Sequence, residues 1–230
     1  MPPSRPPALW VFVLAGPALF LGVIVAASVY LTVQGLPADQ IAKTLPNYAP
    51  HILTSVLALL GLLAAFTLDL RQIWAQPSDA DPIRDIMAGS VIGAVIGLAY
   101  FSGLSSTLDF LQREIGDYVS PGAVTPAVTS NLVLFFAANV VLAPLVEETL
   151  YRGHILGTLR RRRGAVSAVI LSSLSFGFLH WTGGLWYMVA TAVLVGVPFA
   201  TLSVMRRSIL AAFSAHFTLN LLEFLIAALL

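Results

Sequence analysis

Three short patterns in the C-terminal half of the sequence carry side chains suited to proton transfer. Glu147 and Glu148 are adjacent, and Arg152 follows Glu148 at i+4. His180 comes next, and His216 and Asn220 form a second i, i+4 pair. Hydrolysis needs a group that takes a proton from water and donors that stabilise the developing oxyanion. A carboxylate, two imidazoles and a carboxamide supply both. On a helix, Glu148 and Arg152 share a face and can pair, whereas Glu147 points about 100° away. Adjacent acids in two environments suit a division in which one supports and the other reacts.

These residues stand where lipid disfavours them. An Asp, Lys or Arg at the centre of a spanning helix costs at least ~2.5–3.5 kcal/mol, so such residues face a cavity, pair, or do chemistry. Glu147, Glu148, Arg152, His154, His180, His216 and Glu223 all lie in apolar stretches. The first 107 residues hold no comparable cluster within a span.

The whole chain has the composition of a membrane protein. Of its 230 residues, 58% are hydrophobic and 10% charged, against roughly 25% charged in a soluble domain. The fold expected is all-α: a polytopic transmembrane helix bundle of about seven spans. They are read at Ala8–Val33, His51–Leu68, Ile86–Ser106, Ser130–Leu159, Ala165–His180, Leu185–Val204 and Ile209–Leu229. The fourth is long and should overhang the membrane or kink at Pro144. Loops are expected from Gly35 to Pro50 and from Gln76 to Pro82, with a short interfacial helix within Asp109–Thr129. A single membrane-embedded domain, 1–230, is the simplest organisation, with the reactive motifs in 131–220. Val25-Ala26-Ala27 resembles a cleavage site, but the apolar run continues past it, so a spanning helix is favoured over a signal peptide.

Basic residues set an orientation. With the N-terminus cytoplasmic, that side holds nine: Arg5, Arg71, Arg84, Arg160 to Arg163, Arg206 and Arg207. The opposite side, which also receives the C-terminus, holds two, Lys43 and Arg113. Counting helix rise from these arginines puts Glu147, His180, His216 and Asn220 about 13–24 Å from the basic loops, near one level. Gly89, Gly93 and Gly97 form a small-residue ridge that lets another helix approach closely.

Glu147–Arg152 reads as EExxxR, Phe176–His180 as FxxxH and His216–Asn220 as HxxxN. In this order the motifs resemble the CAAX prenyl endopeptidases and their bacterial bacteriocin-processing and immunity relatives (the CPBP or Abi family of intramembrane proteases). The resemblance covers roughly 131–220. It implies an intramembrane endopeptidase in the bacterial cytoplasmic membrane, acting on a membrane-associated protein or peptide. It further implies Glu147 as catalytic glutamate, activating water with His180, Glu148 and Arg152 as the supporting pair, and His216 and Asn220 as oxyanion donors.

Metal chemistry is the alternative within that class. Glu147, His180 and His216 have the donor types of a zinc site with water in the fourth position. Zinc peptidases keep a separate glutamate as base, and this set would consume Glu147. A cofactor-free mechanism is therefore favoured, with zinc the alternative.

Other classes stay in competition. The polar cluster suits an interhelical clamp in a non-enzymatic membrane partner or scaffold, or a proton relay in a proton-coupled transporter. His154 lies about 10 Å nearer the cytoplasm than Glu147 and is read as lining an entrance or interface. Glu223 shares the His216 face without an assigned role, and His51 is read as interfacial. With no cysteine and a net charge of +1, thiol chemistry and a nucleic-acid partner are excluded. HExxH, Gly-x-Ser-Gly and paired intramembrane aspartates are all missing.

Overall fold

The computed structural model describes residues 8–115 and 131–229. Within them the chain is helical and strand-free. Six helices are long and apolar enough to cross a membrane: α1 (Leu9–Val33), α2 (Ala38–Thr67), α3 (Pro82–Glu114), α4 (Leu132–Arg163), α6 (Leu185–Arg206) and α7 (Ile209–Leu229). A seventh, α5 (Ala165–Leu179), is apolar but has only 15 residues. The all-α bundle of about seven spans is thus the observed architecture.

Several boundaries move outward from the apolar windows. The stretch 35–50, expected as loop, is largely helical: Ala38–Thr44 leads through a 3-10 turn at Leu45–Tyr48 into the helix from Ala49. Helix α3 runs past Ser106 to Glu114, bending at Tyr100–Leu104 around Gly103. Polar residues at the ends of spans continue a helix as readily as they end it, because membrane-edge water satisfies them. The interfacial helix expected within Asp109–Thr129 is met only by the last turns of α3; residues 116–130 lie outside the described ones.

Helix α4 is the central element. Half of its most apolar window is buried, against 17% for α1 and for α3. It overhangs through Arg160–Arg163, as its length required. A core of Phe12, Leu57, Leu60, Leu150, Tyr151 and Phe176 joins α1, α2, α4 and α5. Outside the bundle, Val91 and Val95 of α3 are about 60% exposed, as suits side chains bathed in lipid rather than water.

The glycine ridge of α3 does the packing expected of it. A Cβ at Gly89 or Gly93 would run into the carbonyl oxygens of Ala211 and Ala215 on α7. Removing those side chains lets the two backbones touch and fixes α7, the helix that carries His216 and Asn220. Gly177 of α5 meets Met188 and Ala192 of α6 in the same way. On the side of the basic loops, Asp85 is buried and accepts from Arg206 Nε at 2.6 Å.

Candidate active site

Helix α4 departs from regular α geometry around the candidate residues. It widens into π turns at Phe136–Leu142 and again at Glu148–Leu156. Such turns have i→i+5 bonds and are frequent at functional sites. The first has a local cause. Ala143 N–H bonds to Ala138 O, five residues back. The Asn139 carbonyl thereby loses its i+4 donor, and its i+5 residue is Pro144, which has no N–H. That free carbonyl accepts a hydrogen bond from Asn220 Nδ2 at 2.8 Å. Pro144 thus leaves one backbone acceptor free, and that acceptor anchors Asn220 on α7.

The supporting pair is buried behind the cavity. Arg152 Nε lies 3.2 Å from Glu148 Oε2, and both side chains are almost fully buried. The Arg152 guanidinium also stacks 4.0 Å over the Phe176 ring, with Phe199 beyond it. A cation–π contact in a dry site stabilises a charge that cannot be shed. Phe176 in turn packs edge-on against Tyr151 and His216 and lies beside His180. The Phe of FxxxH is therefore the hub that sets the arginine and both histidines around one ring.

Glu148 is shared. Its Oε1 accepts from His216 Nδ1 at 2.8 Å, a partnership that helical spacing along α4 could not reveal. Because a carboxylate only accepts, Nδ1 carries the proton. His216 Nε2 lies 3.9 Å from Glu147 Oε2. When neutral, Nε2 presents a lone pair; as imidazolium it donates. The oxyanion role assigned to His216 therefore requires the doubly protonated ring.

His180 sits just past the end of α5, where its Nδ1 meets Phe176 O at 3.0 Å. A carbonyl cannot donate, so Nδ1 is the protonated nitrogen and Nε2 is the free acceptor. That is the tautomer a base requires. Glu147 is buried, and its Oε2 has no hydrogen-bond partner.

Glu147, His180, His216 and Asn220 line one cavity of about 510 Å³, within the ~300–1,000 Å³ usual for ligand sites. Helices α4 and α7 and the residue following α5 thus deliver the four side chains to a common space. Glu148 and Arg152 do not line it. A narrower slot of about 90 Å³ runs toward α3 and shares His180, Tyr187, His216, Asn220 and Glu223 with the larger cavity. Among the described residues, no three His, Asp or Glu side chains converge closely enough to hold a metal ion. His216 Nδ1 is already engaged by Glu148.

The remaining intramembrane groups separate clearly. His154 packs edge-on against Phe12, 4.6 Å between ring centroids, and lines a different cavity near Arg161 and Arg162. Glu223 lines both site cavities and has no cationic partner among the described residues. The Asn139 side chain interacts with it.

Comparison with known proteins agrees with this geometry. Residues 129–222 match the family described as Type II CAAX prenyl endopeptidase Rce1-like. This part of the chain is similar to that family. The match is shorter than half of the chain, yet it encloses every residue from Glu147 to Asn220 that meets in the cavity. No curated protein and no solved structure matches the chain. The apolar helices, together with this similarity, support an integral membrane protein.

Asn139, Tyr151 and Phe199 were not singled out in the sequence. A usable signal existed only for Asn139, a lone carboxamide in an apolar helix five residues before a proline. Tyr151 and Phe199 look like any aromatic residues of an apolar span.

Proposed function

We propose that the protein is an intramembrane endopeptidase that hydrolyses a peptide bond with water activated by Glu147 and His180. The observation that carries this reading is the single cavity onto which Glu147, His180, His216 and Asn220 all open. Water between Glu147 and His180 Nε2 gives up a proton to one of them as its oxygen attacks the peptide carbonyl. The oxyanion that forms accepts the second N–H of Asn220 and Nε2–H of protonated His216. Collapse breaks the C–N bond, and the proton first taken from water passes to the leaving amine. Arg152 and Glu148 hold His216 in place and touch no reacting atom; they are positioning residues.

Each donor aimed at an oxyanion is worth roughly 10²–10³ in rate, so the Asn220 anchor on Asn139 O matters for aim as much as for packing. The zinc alternative is distinguished by measurement. The purified protein in lipid vesicles is incubated with membrane-segment peptides, before and after exhaustive chelation. The proposal expects chelation to leave cleavage intact and Glu147→Gln to abolish it with the fold unchanged. Stoichiometric zinc, with loss on chelation and recovery on adding zinc back, overturns the metal-free mechanism. A Glu147→Gln protein that still cleaves overturns Glu147 as the reacting acid, and a parent protein that cleaves none of the peptides overturns the enzyme assignment, leaving the scaffold and transporter readings.

A further inference from the structure

The two ends of the bundle differ in what they admit. At the end bearing Arg71, Arg84, Arg160–Arg163, Arg206 and Arg207, a cavity is lined by Trp10, Asp69, His154, Thr158, Arg161 and Arg162, and it contains none of Glu147, His180, His216 or Asn220. The cavity that does contain them extends the other way, to Ala42, Leu45 and Pro46 of α2 and to Thr182 and Gly183 after α5.

Helix length gives an independent reason for water at that second end. Helix α5 has 15 residues, about 22 Å at the usual rise, and starts beside the arginine cluster. The apolar core of a bilayer is about 30 Å thick. The segment His180–Gly184 therefore turns back several ångströms below the far surface. Its backbone is irregular there: a 3-10 turn at Trp181–Gly183, then Gly184 at φ 90°. Irregular backbone at membrane depth is tolerated only where protein covers it or a water-filled cavity meets it. Protein supplies some of the partners, since Gln112 Nε2 donates to Gly183 O at 3.0 Å. The other side of the segment is the cavity wall.

We infer that the reactive cavity opens on the face opposite the arginine cluster, so its substrates are peptide segments of exported or membrane-anchored proteins presented on the extracytoplasmic side. By the distribution of basic residues, the arginine-rich end is cytoplasmic. A cytoplasmic C-terminus would have to pass the closed core of Tyr151, Phe176 and the Glu148–Arg152 pair to reach Glu147. An extracytoplasmic segment meets Ala42 and Pro46, then the apolar wall of Phe20, Ile24 and Ile52, before the acid. This substrate class rests on the endopeptidase reading, whereas the direction of opening does not.

The natural chain lacks cysteine, so single cysteines report access directly. Thr182→Cys, Ala42→Cys and Thr158→Cys are each placed in the full chain and exposed to a membrane-impermeant maleimide in right-side-out and inside-out vesicles. Thr182→Cys and Ala42→Cys should label only in right-side-out vesicles, and Thr158→Cys only in inside-out ones. Labelling of Thr182→Cys from the cytoplasmic side, or from the same side as Thr158→Cys, overturns the inference. If Thr182→Cys fails to insert, Ala42→Cys at the rim decides. Labelling is repeated with Glu147→Gln, which should not alter it, so access is read without catalysis. Maleimide on Thr182→Cys, added from outside, should also block cleavage of a reporter segment displayed on that side. Outside labelling with Glu147-dependent cleavage only of a cytoplasmic reporter sinks the substrate class. Outside labelling with no Glu147-dependent cleavage at all sinks the endopeptidase reading and the substrate class with it, and leaves the direction of opening standing.

Discussion

Glu148–Arg152 and Asp85–Arg206 are both carboxylate–guanidinium pairs, but their surroundings give them different work. The first lies at the middle of α4 with both side chains sealed, and its carboxylate also holds a histidine on α7. The second joins α3 to α6 beside the basic loops, with the acid buried and the arginine about a quarter exposed. A third pair, Asp79–Arg207, is open to water on both partners. Coulomb attraction is similar in kind across the three. What changes is how far each charge has been taken from water, and hence what breaking the pair leaves behind.

The largest effect belongs to the sealed pair. Glu148→Ala strands Arg152, which cannot lose its proton, and also frees His216. Thermal unfolding in lipid or detergent should show a loss of about 3–5 kcal/mol, the usual range for orphaning one member of a buried pair. The double replacement Glu148→Leu with Arg152→Met should recover much of that stability and none of the cleavage. If the double variant is no more stable than Glu148→Ala, the stranded charge is not the cause.

A smaller loss is expected at the membrane edge. Arg206→Ala removes the only ion pair of buried Asp85 among the described residues, but that acid can take up a proton or water from the nearby surface. About 1.5–3 kcal/mol is the expected cost, typical of a hydrogen bond to a charged group. A loss matching that of Glu148→Ala would show that both pairs sit at equal depth.

Asp79–Arg207 should matter least. The hydrogen bond from Arg207, a backbone hydrogen bond and the guanidinium charge hold the Asp79 carboxyl below its ordinary 3.8. A lowered folded value stabilises only above the ordinary range, and the contribution disappears as pH falls through the lowered value. Asp79→Asn should therefore melt slightly below the parent protein, by a constant amount from about pH 5 upward. That small difference should shrink with added salt and vanish in acid. A marked pH dependence near neutrality would have to come from another group.

The same contrast explains what could be read from sequence. EExxxR, FxxxH and HxxxN stood out because ionisable residues are scarce in apolar helices, and a scarce residue there needs a reason. The Glu148–Arg152 contact followed from helical spacing alone. The His216–Glu148 bond did not, because it joins α4 to α7 and depends on how the α3 glycines seat α7. The release of the Asn139 carbonyl was hidden because a hydropathy pattern does not record whether a turn closes at i+4 or i+5. Span ends were misplaced at Ala38 and Glu114 for the opposite reason: polar residues at a membrane edge are unremarkable, so their presence marked no boundary.

The central claim is that Glu147 reacts while its neighbour Glu148 supports. The most direct measurement compares the N-termini of membrane and exported proteins from cells carrying the parent protein with those from cells carrying Glu147→Gln at equal abundance. The account predicts a defined set of internal N-termini that vanish with Glu147→Gln, while the purified variant melts at or above the parent temperature. Identical N-terminal profiles from the two cells, with both proteins folded and present, would contradict it.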